Sequence, residues 1–556
     1  MLNRRNFIKT AALAANVGLL KPIDVFASGS KKTTGYFGVH PFIEDHPDAV
    51  FIMFTDVDVK TNGDACRKEG KKFASEIIIP MDSSGISTNY LIPIKPNVTG
   101  GQGSTFDEMG IITDPHFVGG IIDGMKNLGM SGKQFHIREV NTVNWQKHVY
   151  HSVLKSSGAD IRNMQGRVEG INNESLSAWS RNNATIPNDW LQWVDLPDGM
   201  VFRKIPYLWP INSPNTFLLN IAKFKAHSMG LTLCCKNFQG AVANGYQHFC
   251  QKMESVMHIP PQHRNPDIEK FFEDNFRRHQ ATLPRWDRPI LKDGEKRRND
   301  VDVYDPICQE IWTYRTLDNI SATKFGLHII EGIYGRDGNF GIGPNPEGNE
   351  NNPRGKAWDY MTNILVFGKN PFKVDIVGKW LGGHEPGNFG FFHIAMERGM
   401  LNGLNPMNIP VYQWENGQAF LRPLTSFVRT PLKTYYLQKE GEIFWHMVDE
   451  PFDYSTVSEE KPVYPSKPGA RFITQASQTA SYPMLSIEYS IPQKGGVMLE
   501  ILNEKGETID ILVNAIRENG YHMASWNTAK YESGKYAYKF RYNDYREVRE
   551  IVLQKS

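Results

Sequence analysis

The chain has 556 residues, 40% of them hydrophobic and 22% charged, with a formal net charge of +2. That composition supports a large core divided into roughly two to four domains, and it leaves no whole-protein basic field for nucleic acid. Beyond the N-terminus no run of about 18 apolar residues occurs, so no membrane span is expected in the mature chain.

The first 27 residues differ from the rest. Arg4 and Arg5, then Phe7, Ile8 and Lys9, precede a modest apolar stretch and a small-residue site at Val25-Phe26-Ala27. This segment resembles a twin-arginine export signal, with Ile8 standing where the pattern has Leu. The resemblance implies a mature chain starting near Ser28 in the periplasm, at the cell surface or secreted. It also implies the twin-arginine export machinery as a partner, a route that carries folded proteins, often with a cofactor inserted.

The five cysteines are Cys66, Cys234, Cys235, Cys250 and Cys308. They form no Cys-x-x-Cys pair and no ferredoxin-like run, so the chain has no motif for an iron–sulfur cluster of its own.

In chain order, Ala49–Val57 is a continuous apolar run of buried-strand type, and Asn89–Asn97 reads as a second strand ending at Pro96. A helix follows, with Asp114 as N-cap, Pro115 at its first position and Val118, Ile121, Ile122, Met125 and Leu128 on one face. The alternating Lys133–Val140 completes a βαβ unit, which favours a largely parallel sheet.

Lys223–Gly240, KFKAHSMGLTLCCKNFQG, places Lys223, Lys225 and His227 on one face of a strand. After a turn at Ser228-Met229-Gly230, a second strand is expected to put Thr232, Cys234 and Lys236 on one face. A tight turn brings Lys225, His227 and Lys236 together, and converging cations need an anion between them. A lysine crowded by cations becomes a candidate general base, and His227 a proton carrier. The same residues could equally end strands and pair with surface carboxylates.

Residues 253–319 are charge-rich and read as a partly helical insertion on the surface. The α/β rhythm resumes with KFGLHIIEGIYG, a strand over Asn363–Phe367 and a helix beginning near Pro371, which places Asp375 in its first turn. The Gly/Asn/Pro loop over Gly335–Lys356 could present N–H groups to an anion or be a plain surface loop, and it is not a P-loop. From about Gly469 short alternating strands with Gly and Asn turns indicate an all-β sandwich.

Two resemblances add to this reading. Lys225, His227, Thr232, Lys236, Asn237, Gly240 and His248 match the signature of the domain of unknown function 362 family. So do the blocks around Lys95 and Asn97, Gly332, Gly343 and Pro344, and Asp375 with Gly383. The likeness spans about Tyr90 to Asn405, with Glu331 where the family has Asp and with no ferredoxin-type cysteine segment. It implies a fold and a site but no reaction. Gly506, Gly520, Trp526, Gly534, Tyr536, Tyr538 and Lys555 resemble the Ig-like C-terminal sorting domains of type IX secretion cargo, without their Pro-Asn-Pro opening.

These readings give a signal over 1–27 and an α/β core over 33–410 with a mixed or mostly parallel sheet. A linker or extension over 411–468 and an Ig-like β-sandwich over 469–556 complete the chain. The expected function is action on a small anionic substrate by proton transfer, isomerisation or redox chemistry. Lys225, His227 and Lys236 would be catalytic, with Lys95, Asn97, Thr232 and Asn237 binding substrate. His227, His248, His384 and Asp375 are candidate metal ligands. The alternative is a non-catalytic binder of an anionic ligand or glycan.

Overall fold

The computed structural model describes residues 34–98, 108–140, 148–163, 168–169, 185–227, 230–243, 246, 259–266, 306–338, 357–433, 451–457, 471–473, 484–491, 494–517, 520–528, 530–543 and 545–553. The signal segment, His248, the loop from 339 to 356, residues 267–305 and Lys555 lie outside these. The chain forms two units, one within residues 33–461 and one within 462–556.

The larger unit is built on a ten-stranded sheet. Its strands are β1 (Val50–Phe54), β2 (Ile92–Pro96), β3 (Phe135–Glu139), β4 (Asp160–Asn163), β5 (Leu219–His227), β6 (Gly230–Thr232), β7 (Leu327–Arg336), β8 (Asp359–Gly368), β9 (Val411–Glu415) and β10 (Gln418–Leu421). They lie in the order β10-β9-β1-β8-β7-β5-β2-β3-β4, with β6 paired to β5. All run in one direction except β6, β8 and β10, so the sheet is mixed and mostly parallel.

Alternation divides each strand between two apolar layers. Leu219 and Ile221 of β5 join Ile92 and Ile94 of β2 beneath helices α1 (Gly63–Ile77) and α2 (Pro115–Lys126). Ala222 and Phe224 face α4 (Pro306–Ser321), α5 (Pro371–Leu381) and α6 (Gly390–Glu397) on the other side; α3 (Cys234–Asn237) follows β6. Each large apolar side chain so buried contributes about 1.5–3 kcal/mol. Asp114 caps α2 by accepting from His116 and Phe117, with Pro115 at the first position, as the sequence indicated. The α1–α2 contact requires glycine. A Cβ on Gly120 would stand 2.0 Å from the Arg67 carbonyl, and one on Gly70 2.1 Å from that of Phe117.

Three expectations change. Residues 411–415 and 418–421, placed in a linker by sequence, are strands of the main sheet. The described end of the 253–319 insertion is not a surface element, since Ile311–Ile320 of α4 are buried throughout. Two of its described charges have buried partners. Asp318 accepts from the N–H groups of Met200, Val201 and Phe202 at 2.9, 2.7 and 3.0 Å, and Arg315 donates to the Tyr246 carbonyl. Finally, the strand expected through LTLCCKN stops at Thr232, and Cys234–Asn237 is helical.

The smaller unit consists of β11 (Arg471–Ile473), β12 (Met484–Ile491), β13 (Gly495–Leu502), β14 (Thr508–Arg517), β15 (Gly520–Asn527), β16 (Gly534–Tyr542) and β17 (Tyr545–Leu553). They make two antiparallel sheets, β11-β12-β15 and β14-β13-β16-β17. The two share one core that includes Ile487, Leu499, Trp526, Tyr538 and Phe540.

Candidate functional site

The site lies where the order of connection reverses. From β2 the chain crosses through α2 to β3 on one side, and from β5 it returns through α4 to β7 on the other. In such sheets the crevice beyond the carboxyl ends of the strands is the usual binding position. Lys95 and Asn97, Glu139, Lys225 and His227, and Arg336 all sit at these ends.

β5 and β6 form the expected hairpin, with Lys225 opposite Thr232, Ala226 opposite Leu231 and His227 opposite Gly230. The Lys225 ammonium donates to the Ile111 carbonyl at 2.5 Å. Burial holds this amine well below the ordinary lysine range, and the charges of Lys236 and Arg336 lower it further. His227, at the strand end and still partly exposed, is likewise held well below its usual value by burial, then by Lys236 and Lys225. It is therefore a neutral imidazole at neutral pH. Thr232 is buried, and among the described residues its hydroxyl has no hydrogen-bond partner.

Lys223 does not join this group. Its ammonium is fully buried against both oxygens of Glu331, at 3.0 and 2.8 Å, and lies 3.4 Å from the centroid of the Tyr334 ring. Glu331 also accepts from the N–H groups of Asp114 and Ile333, each at 3.0 Å. Glu331 therefore ties α2 and a bulge in β7 to the central strand.

Lys95, Asn97 and Asn237, expected to meet a substrate, meet one another. Lys95 Nζ donates to Glu139 Oε2 at 2.8 Å, to the Pro96 carbonyl at 2.7 Å and to Asn237 Oδ1 at 3.3 Å. Asn97 donates to the same oxygen at 3.1 Å, and Asn237 Nδ2 donates to the Lys95 carbonyl and to Asn220 Oδ1. Both faces of the Asn237 amide are thus occupied, and it acts as a positioning residue. Burial pushes Glu139 up to about 7 against the opposing pull of Lys95, while burial lowers Lys95. A buried pair of this kind costs several kcal/mol when one partner is removed. Gly240 closes over it: a Cβ there would stand 2.0 Å from Glu139 Oε1 and 2.8 Å from Lys95 Nζ.

The helical turn α3 exists because of a residue 140 positions away. Asp375 accepts from the Cys234 N–H at 2.7 Å and the Cys235 N–H at 2.8 Å, capping the turn from α5. Asp375 lies in the second turn of α5, whose N-cap is Asn370. Burial raises its carboxyl to about 7. One turn further on, Lys379 is buried with its ammonium 3.5 Å from the Phe389 ring centroid. Leu231, Cys235, Lys236, Trp312, Asp375 and Lys379 line a cavity of about 10 Å³. Lys236 Nζ lies 5.6 Å from the Trp312 ring centroid.

Among the described residues His384 makes one hydrogen bond, from Nε2 to the Leu432 carbonyl at 2.8 Å, and burial pushes it down to about 3. Among the described residues no three His, Cys, Asp or Glu side chains group as a metal would need, so His227, His384 and Asp375 are not brought together. His248 falls outside the described residues. Sequence reasoning missed Glu139, Arg336 and Lys379. Lys379 is a charge inside an apolar run, a pattern that signals a buried partner but does not name it, whereas Glu139 follows Arg138 and Arg336 precedes Asp337, as charges at solvated strand ends do.

A family model described as a domain of unknown function, DUF362, matches residues 92–379. No curated protein and no solved structure matches the chain.

Proposed function

Since the chain belongs to the DUF362 family, whose description names no reaction, we propose its function from the site itself: an enzyme acting on a small anionic substrate. The observation that carries this reading is the convergence of Lys225, His227 and Lys236 at the carboxyl edge of the sheet, at the reversal of strand order. An amine whose charged form is disfavoured by burial, beside a neutral imidazole, suits proton transfer, with Lys236 supplying charge to hold the anion. The reaction class is proton transfer or isomerisation, or redox chemistry if a cofactor is delivered with the folded protein.

The reading extends to location. The twin-arginine pattern at Arg4 and Arg5 supports export, and the two antiparallel sheets around Trp526 support an Ig-like C-terminal module of the sorting type.

The test is to incubate the purified full-length protein with a small-molecule extract of its source and follow anions by mass spectrometry. The wild type is expected to consume one anion, and Lys225→Met or His227→Gln to slow that consumption by about 10²-fold or more, the usual contribution of a general base. An anion retained but never consumed would make the protein a binder. Variants that retain wild-type turnover would remove the site from the reaction.

A further inference from the structure

We propose that the smaller unit carries a binding site of its own: a groove across its four-stranded sheet that takes an acidic glycan and recognises the carboxylates of its sugars. This inference stands apart from the site at Lys225.

The first ground is the lining of the groove. Val497, Leu499, Phe540 and Tyr542 turn into the core, so the residues alternating with them on β13 and β16 face away from it. On that outer face Asn514, Met498, Arg541 and Arg546 stand directly opposite one another in register, one from each strand of β14-β13-β16-β17. With Ile516 and Asn543 they line a groove of about 500 Å³. Small-ligand sites span ~300–1,000 Å³, so it has room for a sugar ring.

The second ground is charge. Arg541 and Arg546 form a cross-strand pair of like sign, an arrangement that is destabilising unless an anion lies beside it. Glu500 accepts from Arg541 Nη2 at 3.0 Å and also lies 3.9 Å from Lys539, so two cations share it. Among the described residues Arg546 has no carboxylate within ion-pairing distance. The row therefore carries surplus positive charge. A guanidinium grips a carboxylate through two parallel N–H bonds, which makes a sugar acid a better match than a neutral sugar.

The third ground separates a glycan from a peptide. The backbone groups of β13 and β16 are paired on both sides by neighbouring strands, so an extended chain lying across this face finds no edge to join. Recognition falls to side chains. The Asn514 and Asn543 amides make no hydrogen bond among the described residues, and each offers donors and an acceptor to sugar hydroxyls. Ile516, 71% exposed, supplies apolar surface for the C–H face of a ring.

The experiment is calorimetric titration of the full-length protein with trigalacturonate, its methyl ester and a triglutamate peptide, repeated with Arg546→Gln and Asn514→Ala. Trigalacturonate is expected to bind, and the ester and the peptide to bind at least tenfold more weakly. Arg546→Gln should weaken trigalacturonate at least tenfold and Asn514→Ala severalfold. Both side chains are exposed, so the melting temperature should not change. Equal binding of the ester would remove the carboxylates from recognition, and equal binding of the peptide would make the groove a site for acidic peptides. Binding indifferent to Arg546→Gln would place the sugar elsewhere on the chain. Any of these outcomes, or no binding of trigalacturonate at all, overturns the proposal.

Discussion

Lys379 and Asp375 sit one helical turn apart, and burial moves their ionisation toward the same value. Lys379 is lowered to about 7, and Asp375 is raised to about 7. Above that pH the lysine loses its charge and the carboxyl gains one, so both changes disfavour an anion. Lys236 shares their cavity, and His384, which lies near Lys379, is already neutral across this range. Sulfate is a suitable probe anion because it keeps its charge from pH 6 to 9, so its binding reads the protein alone. Affinity is expected to hold from pH 6 to 7 and then fall as pH rises, by up to about tenfold per unit where a proton must be taken up. Titration calorimetry at a series of pH values checks this, and Lys379→Met should leave a shallower slope set by Asp375. A flat profile in the wild type would place Lys379 away from the anion.

At the level of elements, α3 shows how a short local segment depends on a distant one. LTLCCKN alternates well enough to read as strand, and four residues cannot hold a helical turn alone. Two backbone N–H groups turned toward Asp375 decide the matter. Asp375→Ala is expected to orphan both and to destabilise the protein by about 2–4 kcal/mol, measured by urea denaturation. Anion affinity should fall with it, because Lys236 rides on this turn. The βαβ unit around Asp114-Pro115 and the hairpin at Lys225–Thr232 were legible because their signals are local: a cap, a proline, a period, a turn. The buried pairs Lys95–Glu139 and Lys223–Glu331 were not, since the partners stand 44 and 108 residues apart and no local pattern joins them. The same reason hid the interior placement of α4, whose Asp318 looks solvated until its three N–H donors from residues 200–202 are found.

For the molecule as a whole, the sheet interleaves early and late parts of the chain. β1 lies between β8 and β9, segments more than 300 residues downstream. A chain ending at residue 410 lacks β9, and one ending at residue 461 contains the whole larger unit. The first is expected to be insoluble or molten, and the second to melt cooperatively by circular dichroism. Equal behaviour of the two would make β9 and β10 accessory. The placement of β1 also bears on synthesis. At about 5–20 residues per second, the segment VFIMF leaves the ribosome tens of seconds before either neighbour exists. During that interval it is an unpaired apolar strand, the kind of sequence on which nascent chains aggregate. The order of the sheet thus leaves the beginning of the domain without its neighbours until its end has been translated, which is the interval a chaperone would have to cover.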